Sequence, residues 1–205
     1  QREVLLRRYK ILYPQTGLHK PTGAHHYISW SIFSPPQVKK RIKDIPEAET
    51  IYKDLINEIE RERPEVLLLS SEYFQTITPE LVKTFMLKIT KDIKIILYIR
   101  RQDLWLESNY SQMVKTKHQN KITFKGFLAK LINAKRIDNL YNYSNFLSRW
   151  QEAFPEAEII PRIYDRKLFP EGNVILDFLS ILGIDMPEAR EQKIEANPSL
   201  SVVST

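Results

Sequence analysis

The sequence predicts an α/β protein built on a parallel sheet, and three observations carry that prediction. Apolar runs of strand length, Val66–Leu69 and Ile95–Ile99, alternate with amphipathic stretches of helical period. The runs are continuous, as in strands buried on both faces, and not alternating, as in strands half exposed to water. Helical stretches of 10–15 residues separate the strands, which is the spacing of βαβ units.

Each element follows from local pattern. Lys10–Pro14 is a short β-rich run closed by proline. Pro46–Arg63 carries Ile51, Leu55, Ile56 and Ile59 at helical spacing. Val66–Ser70 is expected as a buried strand bounded by Pro64. Thr78-Pro79-Glu80 supplies an N-cap, a first-turn proline and an early acid, ahead of a stripe of Leu81, Val82, Phe85, Met86 and Ile89. A second buried strand is expected over Ile93–Arg100. Helices are expected over Asp103–Lys117, Thr123–Ala134 and Asn139–Ala153. Glu158–Tyr164 reads as a further strand, and Asn173–Leu182 as a helix capped by Gly183. Ser34-Pro35-Pro36 marks a loop and no domain boundary, so residues 1–205 are expected to form one domain.

Composition narrows the chemistry. The chain has 205 residues, no cysteine and five glycines, where average usage of roughly 7% would give about 14. Without cysteine there are no disulfides, thiolate metal sites or cysteine nucleophiles. Gly17, Gly23, Gly126, Gly172 and Gly183 are too scattered to build a phosphate loop or a dinucleotide fingerprint. The longest apolar runs fall far short of the ~20 residues of a membrane span. A formal net charge of +6 favours anionic partners, although the basic residues are spread along the chain and not blocked into a tail. Absent cysteine and absent leader pattern lead to a cytoplasmic expectation.

In parallel sheets ligands sit at the carboxyl ends of strands. Three such ends are chemically loaded: Pro14 leading to Gly17 and His25-His26; Ser70-Ser71-Glu72; and Arg100-Arg101-Gln102-Asp103. Arg100 closes an apolar strand and Ser108 follows eight residues later, in the next helix. A phosphate there would take a charge-assisted bond from the guanidinium and a hydroxyl bond from the serine, at a helix N-terminus. The competing reading is an arginine held by structural carboxylates. Trp30, Trp105 and Trp150 read as core.

The strand, Arg100, Ser108 and helix pattern resembles the 3′-phosphate-binding element of the PAPS-dependent sulfotransferases, and Arg100–Gln112 is similar to a bacterial branch of that family. Further phrases recur in order: Tyr13-Pro14 through Gly17 to His25-His26, Leu68–Glu72, Tyr143–Trp150, Tyr164-Asp165, Asp177–Leu179, Leu182–Ile184 and Asn197–Leu200. The resemblance implies a three-layer, P-loop NTPase-like α/β domain with a central parallel sheet covered by helices. It implies sulfuryl transfer from PAPS to an acceptor hydroxyl or amine, a carbohydrate hydroxyl in the favoured reading, with no metal; no nucleic-acid partner is expected. Arg100 and Ser108 would hold the 3′-phosphate of PAPS.

One departure stands out. The family's loop for the 5′-phosphosulfate, rich in Gly, Lys, Thr and Ser, has no counterpart in these residues. The alignment of phrases makes residues 1–8 the tail of the helix after that loop. The domain is therefore expected to be incomplete at both ends, and the chain by itself to be inactive. Gln102 stands where many members have proline.

The acceptor's proton needs a base, and His25, His26 and Glu72 are the candidates, with His25 favoured. Glu72 could instead orient a lysine or histidine. His19 and Lys20 lie in a possible acceptor loop, Arg101 faces substrate or solvent, and His118 is assigned no role. Two other readings stay open: a non-catalytic module binding a polyanion or nucleotide, and a nucleotide-dependent phosphotransferase on the same fold.

Overall fold

The computed structural model describes residues 2–34, 38, 42, 44–116, 122–134 and 141–190. The chain divides into two compact units, Gln1–Ile93 with Arg149–Glu156, and Lys94–Ser148 with Ala157–Thr205. Both are mixed α/β, and each contains one parallel strand pair. The phrase Asn197–Leu200, the prolines after Ser34 and His118 lie outside the described residues.

In the first unit, helix α1 (Arg2–Tyr9) leads into strand β1 (Ile11–Leu12), which pairs in parallel with β2 (Val66–Leu67). Helix α2 (His26–Ile32) and helix α3 (Ala48–Glu62) lie in the crossover. The helical stripe on α3 is where the sequence placed it: Ile51 and Leu55 are buried, and Ile59 packs on the same cluster. Arg63 ends α3 in the left-handed conformation at φ 48°, its N–H donating to the Ile59 carbonyl, and Pro64 prevents continuation. Helix α4 (Pro79–Met86) turns Val82 and Phe85 inward. Ile28, Ile51, Leu55 and Phe85 form the core of this unit.

β2 departs from expectation. Only Val66–Leu67 are strand, and Val66 is 44% exposed. Its partner ends early because Pro14 has no N–H to extend the ladder. The backbone of Ser70 pairs instead with His25, whose N–H donates to the Ser70 carbonyl.

In the second unit, β3 (Lys94–Ile99) pairs in parallel with β4 (Glu158–Ile163), in register from Lys94–Glu158 to Ile99–Ile163. Helices α5 (Gln102–Thr116) and α6 (Phe124–Asn133) follow β3, and then α7 (Tyr143–Ala153), whose residues up to Ser148 belong to this unit and whose residues from Arg149 belong to the first. Thr123 caps α6 by accepting the Gly126 N–H. Phe127, Leu131 and Tyr141 form a core against Trp105, Leu106, Tyr110 and Met113. Helix α8 (Val174–Ile181) is capped by Asn173 and released by Gly183 at φ +68°. β3 is half-buried and not fully covered as expected.

Candidate functional site

In the first unit the chain leaves β1 at Pro14 and turns through Gln15, Thr16 and Gly17. The turn is held by a carboxylate the sequence reading passed over. Glu58, on the inner side of α3, accepts the N–H of Gln15 at 2.7 Å, the N–H of Thr16 at 2.9 Å and the Thr16 hydroxyl at 2.7 Å. Burial by itself would push this carboxyl up; the donors from Gln15 and Thr16 outweigh it and hold it below the usual range. Gly17 is required beside it. Its φ is +73°, and a Cβ there would come within 2.3 Å of the Ile28 side chain.

His25 was the favoured base, and its geometry does not support that role. The residue is fully buried. Its Nδ1 accepts the Ser70 N–H at 3.1 Å, which places the ring proton on Nε2, and Nε2 donates to the Pro14 carbonyl at 3.0 Å. Both nitrogens are occupied, so no lone pair is free for an acceptor. Burial also pushes the imidazole down, against its bonds to Pro14 and Ser70. His25 ties the end of β1 to the end of β2.

His26 is different. Its Nδ1 lies 2.9 Å from Ser71 Oγ. Ser29 donates its hydroxyl proton to the His26 carbonyl at 2.9 Å, so towards Ser71, also 2.9 Å away, it can only accept. Ser71 therefore donates to Ser29, and accepts from the Tyr73 N–H at 3.2 Å and from Nδ1–H of His26. This network assigns the tautomer with an unprotonated Nε2, for which no described residue supplies a hydrogen bond. Burial lowers the His26 imidazole below its ordinary value, Glu72 acting in the opposite sense and His19 in the same one. Trp30, Tyr73 and His19 pack around the ring, with centroids 5.3, 4.8 and 5.5 Å away. Glu72 itself is exposed, at the start of the 3₁₀ turn Glu72–Thr76. Its place is that of a charge near His26.

In the second unit Arg100 leaves β3 exposed at the strand's carboxyl end, two residues before α5. Its neighbour Arg101 is held by Asp103, with Nη2 to Oδ2 at 2.6 Å. Among the described residues, none forms an ion pair with the Arg100 guanidinium. The structural-carboxylate reading thus fits Arg101 and not Arg100. The Arg100 carbonyl accepts the Tyr143 hydroxyl, which fixes the backbone at this point. Ser108 is exposed in the second turn of α5. Gln102 Nε2 donates to the Tyr141 carbonyl at 3.4 Å, so glutamine at this position ties α5 to the segment before α7.

β3 and β4 are themselves anchored by a group whose roles sequence reasoning missed. Asp177 of α8, 1% exposed, accepts a fork from Arg162 of β4, and the Tyr98 hydroxyl of β3 at 2.7 Å. Arg162 holds the Asp177 carboxyl below its usual range despite burial. Burial, with the bond to Asp177, pushes the Tyr98 phenol up. The available signal was an acid inside the apolar run Val174–Ile181.

No group of three or more metal-ligating side chains, and no helix long and apolar enough to cross a membrane, occurs among the described residues. No family model matches the chain. No solved structure matches it significantly. A stretch of 140 residues, 68% of the chain, is 56% identical to an uncharacterized protein of Archaeoglobus fulgidus. The chain spans only 36% of that relative's length.

Proposed function

We propose that this chain belongs to a PAPS-dependent sulfotransferase that acts on an acceptor hydroxyl, with carbohydrate as the acceptor class. The observation that carries the reading is Arg100: an exposed guanidinium at a strand's carboxyl end, with no carboxylate partner among the described residues, ahead of a helix that presents Ser108. A guanidinium left in that state suits a phosphate monoester, which it can bind through paired charge-assisted bonds. The reading carries with it the three-layer, P-loop-like α/β fold of that family.

PAPS supplies the sulfuryl group and a phosphate leaving group. Arg100 and Ser108 bind the 3′-phosphate and so fix the nucleotide's orientation. The reaction needs a base for the acceptor proton, and in the first unit His26 has the features of one, an unprotonated Nε2 with its Nδ1–H anchored on Ser71. His25, with both nitrogens engaged, keeps the loop that carries His26 in register with β2. No residue of this chain is assigned to the 5′-phosphosulfate.

A thermal-shift comparison of nucleotides tests the reading. Bound ligand raises Tm through preferential binding to the native state. 3′-Phosphoadenosine 5′-phosphate is expected to raise Tm more than 5′-AMP or ATP with magnesium at equal concentration. A larger shift with ATP and magnesium, or equal shifts with the two adenosine monophosphate-based ligands, would overturn it.

A further inference from the structure

Arg100 stands between two hydrogen-bond ladders. The last carbonyl of β3, that of Ile99, accepts the Tyr164 N–H at 2.7 Å, and the Arg101 carbonyl opens the α5 ladder by accepting the Trp105 N–H at 3.0 Å. The Arg100 carbonyl belongs to neither ladder and is held from a side chain, by the Tyr143 hydroxyl. Tyr143 is the first residue of α7 and lies within the second unit, as Arg100 does. Burial pushes the Tyr143 phenol up, so the hydroxyl keeps its proton and remains a donor throughout the neutral range.

The Tyr143 ring is itself anchored. It stacks on Trp105, with centroids 6.1 Å apart and planes inclined by 21°, and Trp105 packs against Tyr141 at 4.4 Å. Tyr141 is buried with Phe127 and Leu131; its hydroxyl accepts the Asn109 amide at 2.7 Å and its carbonyl the Gln102 amide at 3.4 Å. A hydroxyl carried on a core-anchored frame thus grips the peptide of an exposed arginine. Resting on the sulfotransferase reading, we propose that Tyr143 is a positioning residue for the nucleotide's 3′-phosphate, its hydroxyl setting the Arg100 peptide from which the guanidinium reaches that phosphate.

The effect is one of pre-organisation. A guanidinium that binds phosphate through paired bonds must hold one geometry, and the backbone that carries it must hold still. With the Tyr143 bond in place the Arg100 peptide is already ordered; without it, nucleotide binding has to order that peptide and loses affinity accordingly. Tyr143 acts on the nucleotide through Arg100. It therefore strengthens binding of a 3′-phosphorylated nucleotide, contributes nothing to 5′-AMP, and contributes nothing to either once Arg100 is gone.

A double-mutant cycle over Tyr143→Phe and Arg100→Ala tests this, with calorimetric affinities for 3′-phosphoadenosine 5′-phosphate and 5′-AMP. Phenylalanine keeps the ring on Trp105 and removes the hydroxyl alone. Tyr143→Phe is expected to lower the preference for the 3′-phosphorylated nucleotide about three- to tenfold, the scale of one hydrogen bond, and to leave 5′-AMP affinity unchanged. In the Arg100→Ala background the same substitution is expected to change the preference by less than about twofold, the limit of additive behaviour. Asn109→Ala, which removes the bond to the Tyr141 hydroxyl and leaves that of Tyr143 to Arg100, is expected to lower Tm and keep the wild-type preference. An unchanged preference in Tyr143→Phe, an equal fall with and without Arg100, or an equal fall in Asn109→Ala would each overturn the proposal. Failure of the sulfotransferase reading has a separate mark: wild type then shows no preference for the 3′-phosphorylated nucleotide, and the proposal falls with it. A wild-type preference lost in Arg100→Ala and kept in Tyr143→Phe overturns the proposal alone.

Discussion

Replacing His25 with leucine should destabilise the protein substantially, and the size follows from two backbone groups. In the native structure the Ser70 N–H and the Pro14 carbonyl are both satisfied by the His25 ring, at 3.1 and 3.0 Å, in a fully buried position. Leucine fills comparable space but leaves one buried donor and one buried acceptor without partners. Each costs about 1–3 kcal/mol, so the loss is about 2–6 kcal/mol. For a chain of this size that lowers Tm by roughly 5–15 °C. Glutamine can present a carbonyl to Ser70 and an amide N–H to Pro14, so His25→Gln should recover much of the loss.

pH provides a second arm for the same position. Burial lowers the His25 imidazole in the folded state, so its stabilising contribution is full above the unfolded value of about 6.5. It is lost as pH falls through the lower folded value, because the unfolded chain binds the proton more readily. Urea unfolding followed by tryptophan fluorescence should show wild type weakening between pH 7.5 and 5 more steeply than His25→Gln. A His25→Leu protein within 1 kcal/mol of wild type would refute the structural role given to this ring (a threshold at the low end of a single lost hydrogen bond).

Three other perturbations have defined outcomes. Gly17→Ala combines a left-handed φ with a 2.3 Å approach to Ile28, so a loss of about 2 kcal/mol or more is expected in urea unfolding. Asp177→Ala removes the shared acceptor of Arg162 and Tyr98 and should cost about 2–4 kcal/mol by the same assay. With the Asp177 carboxyl held low by Arg162, that contribution persists above pH 4 and is lost as pH falls through the folded value. His26, lowered by burial, should titrate by NMR below the ordinary imidazole value; under the proposed sulfotransferase function, with His26 as base, turnover should hold its rate to correspondingly lower pH.

Helices were the most legible part of the sequence because their burial repeats locally. Ile51, Leu55 and Ile59 declare the inner face of α3 without reference to the rest of the chain. Strand pairing was less legible. The apolar run after Pro64, Val66–Leu69, is four residues of strand-like sequence, yet its ladder stops where Pro14 ends the partner and Ser70 turns to His25. The same long-range dependence separates the two adjacent histidines. Nothing local distinguishes His25 from His26; the difference is made by Ser70 and Ser71, 45 residues on, one taking a ring nitrogen through its backbone and the other through its hydroxyl.

Glu58 and Asp177 show a signal that could have been used. Glu58 follows Ile51 and Leu55 on the inward face of α3, and Asp177 interrupts an apolar helix. An acid on an apolar face is seldom left unpaired, so each marks buried donors before the donors are known. The positions of Arg100 after β3 and of Ser108 in the following helix were legible from the apolar run and the helical stretch behind it. The role of Arg101 was open in the sequence, and Asp103 decides it.

Calorimetric titration of 3′-phosphoadenosine 5′-phosphate and 5′-AMP into wild type and Arg100→Ala tests the central claim most directly. Arg100 is assigned to the 3′-phosphate, so wild type should prefer the 3′-phosphorylated nucleotide. The substitution should remove about 1.5–3 kcal/mol of that preference, the scale of a hydrogen bond to a charged group, and leave 5′-AMP binding unchanged. Equal affinity for the two nucleotides in wild type, or an Arg100→Ala protein that retains the preference, would contradict the account.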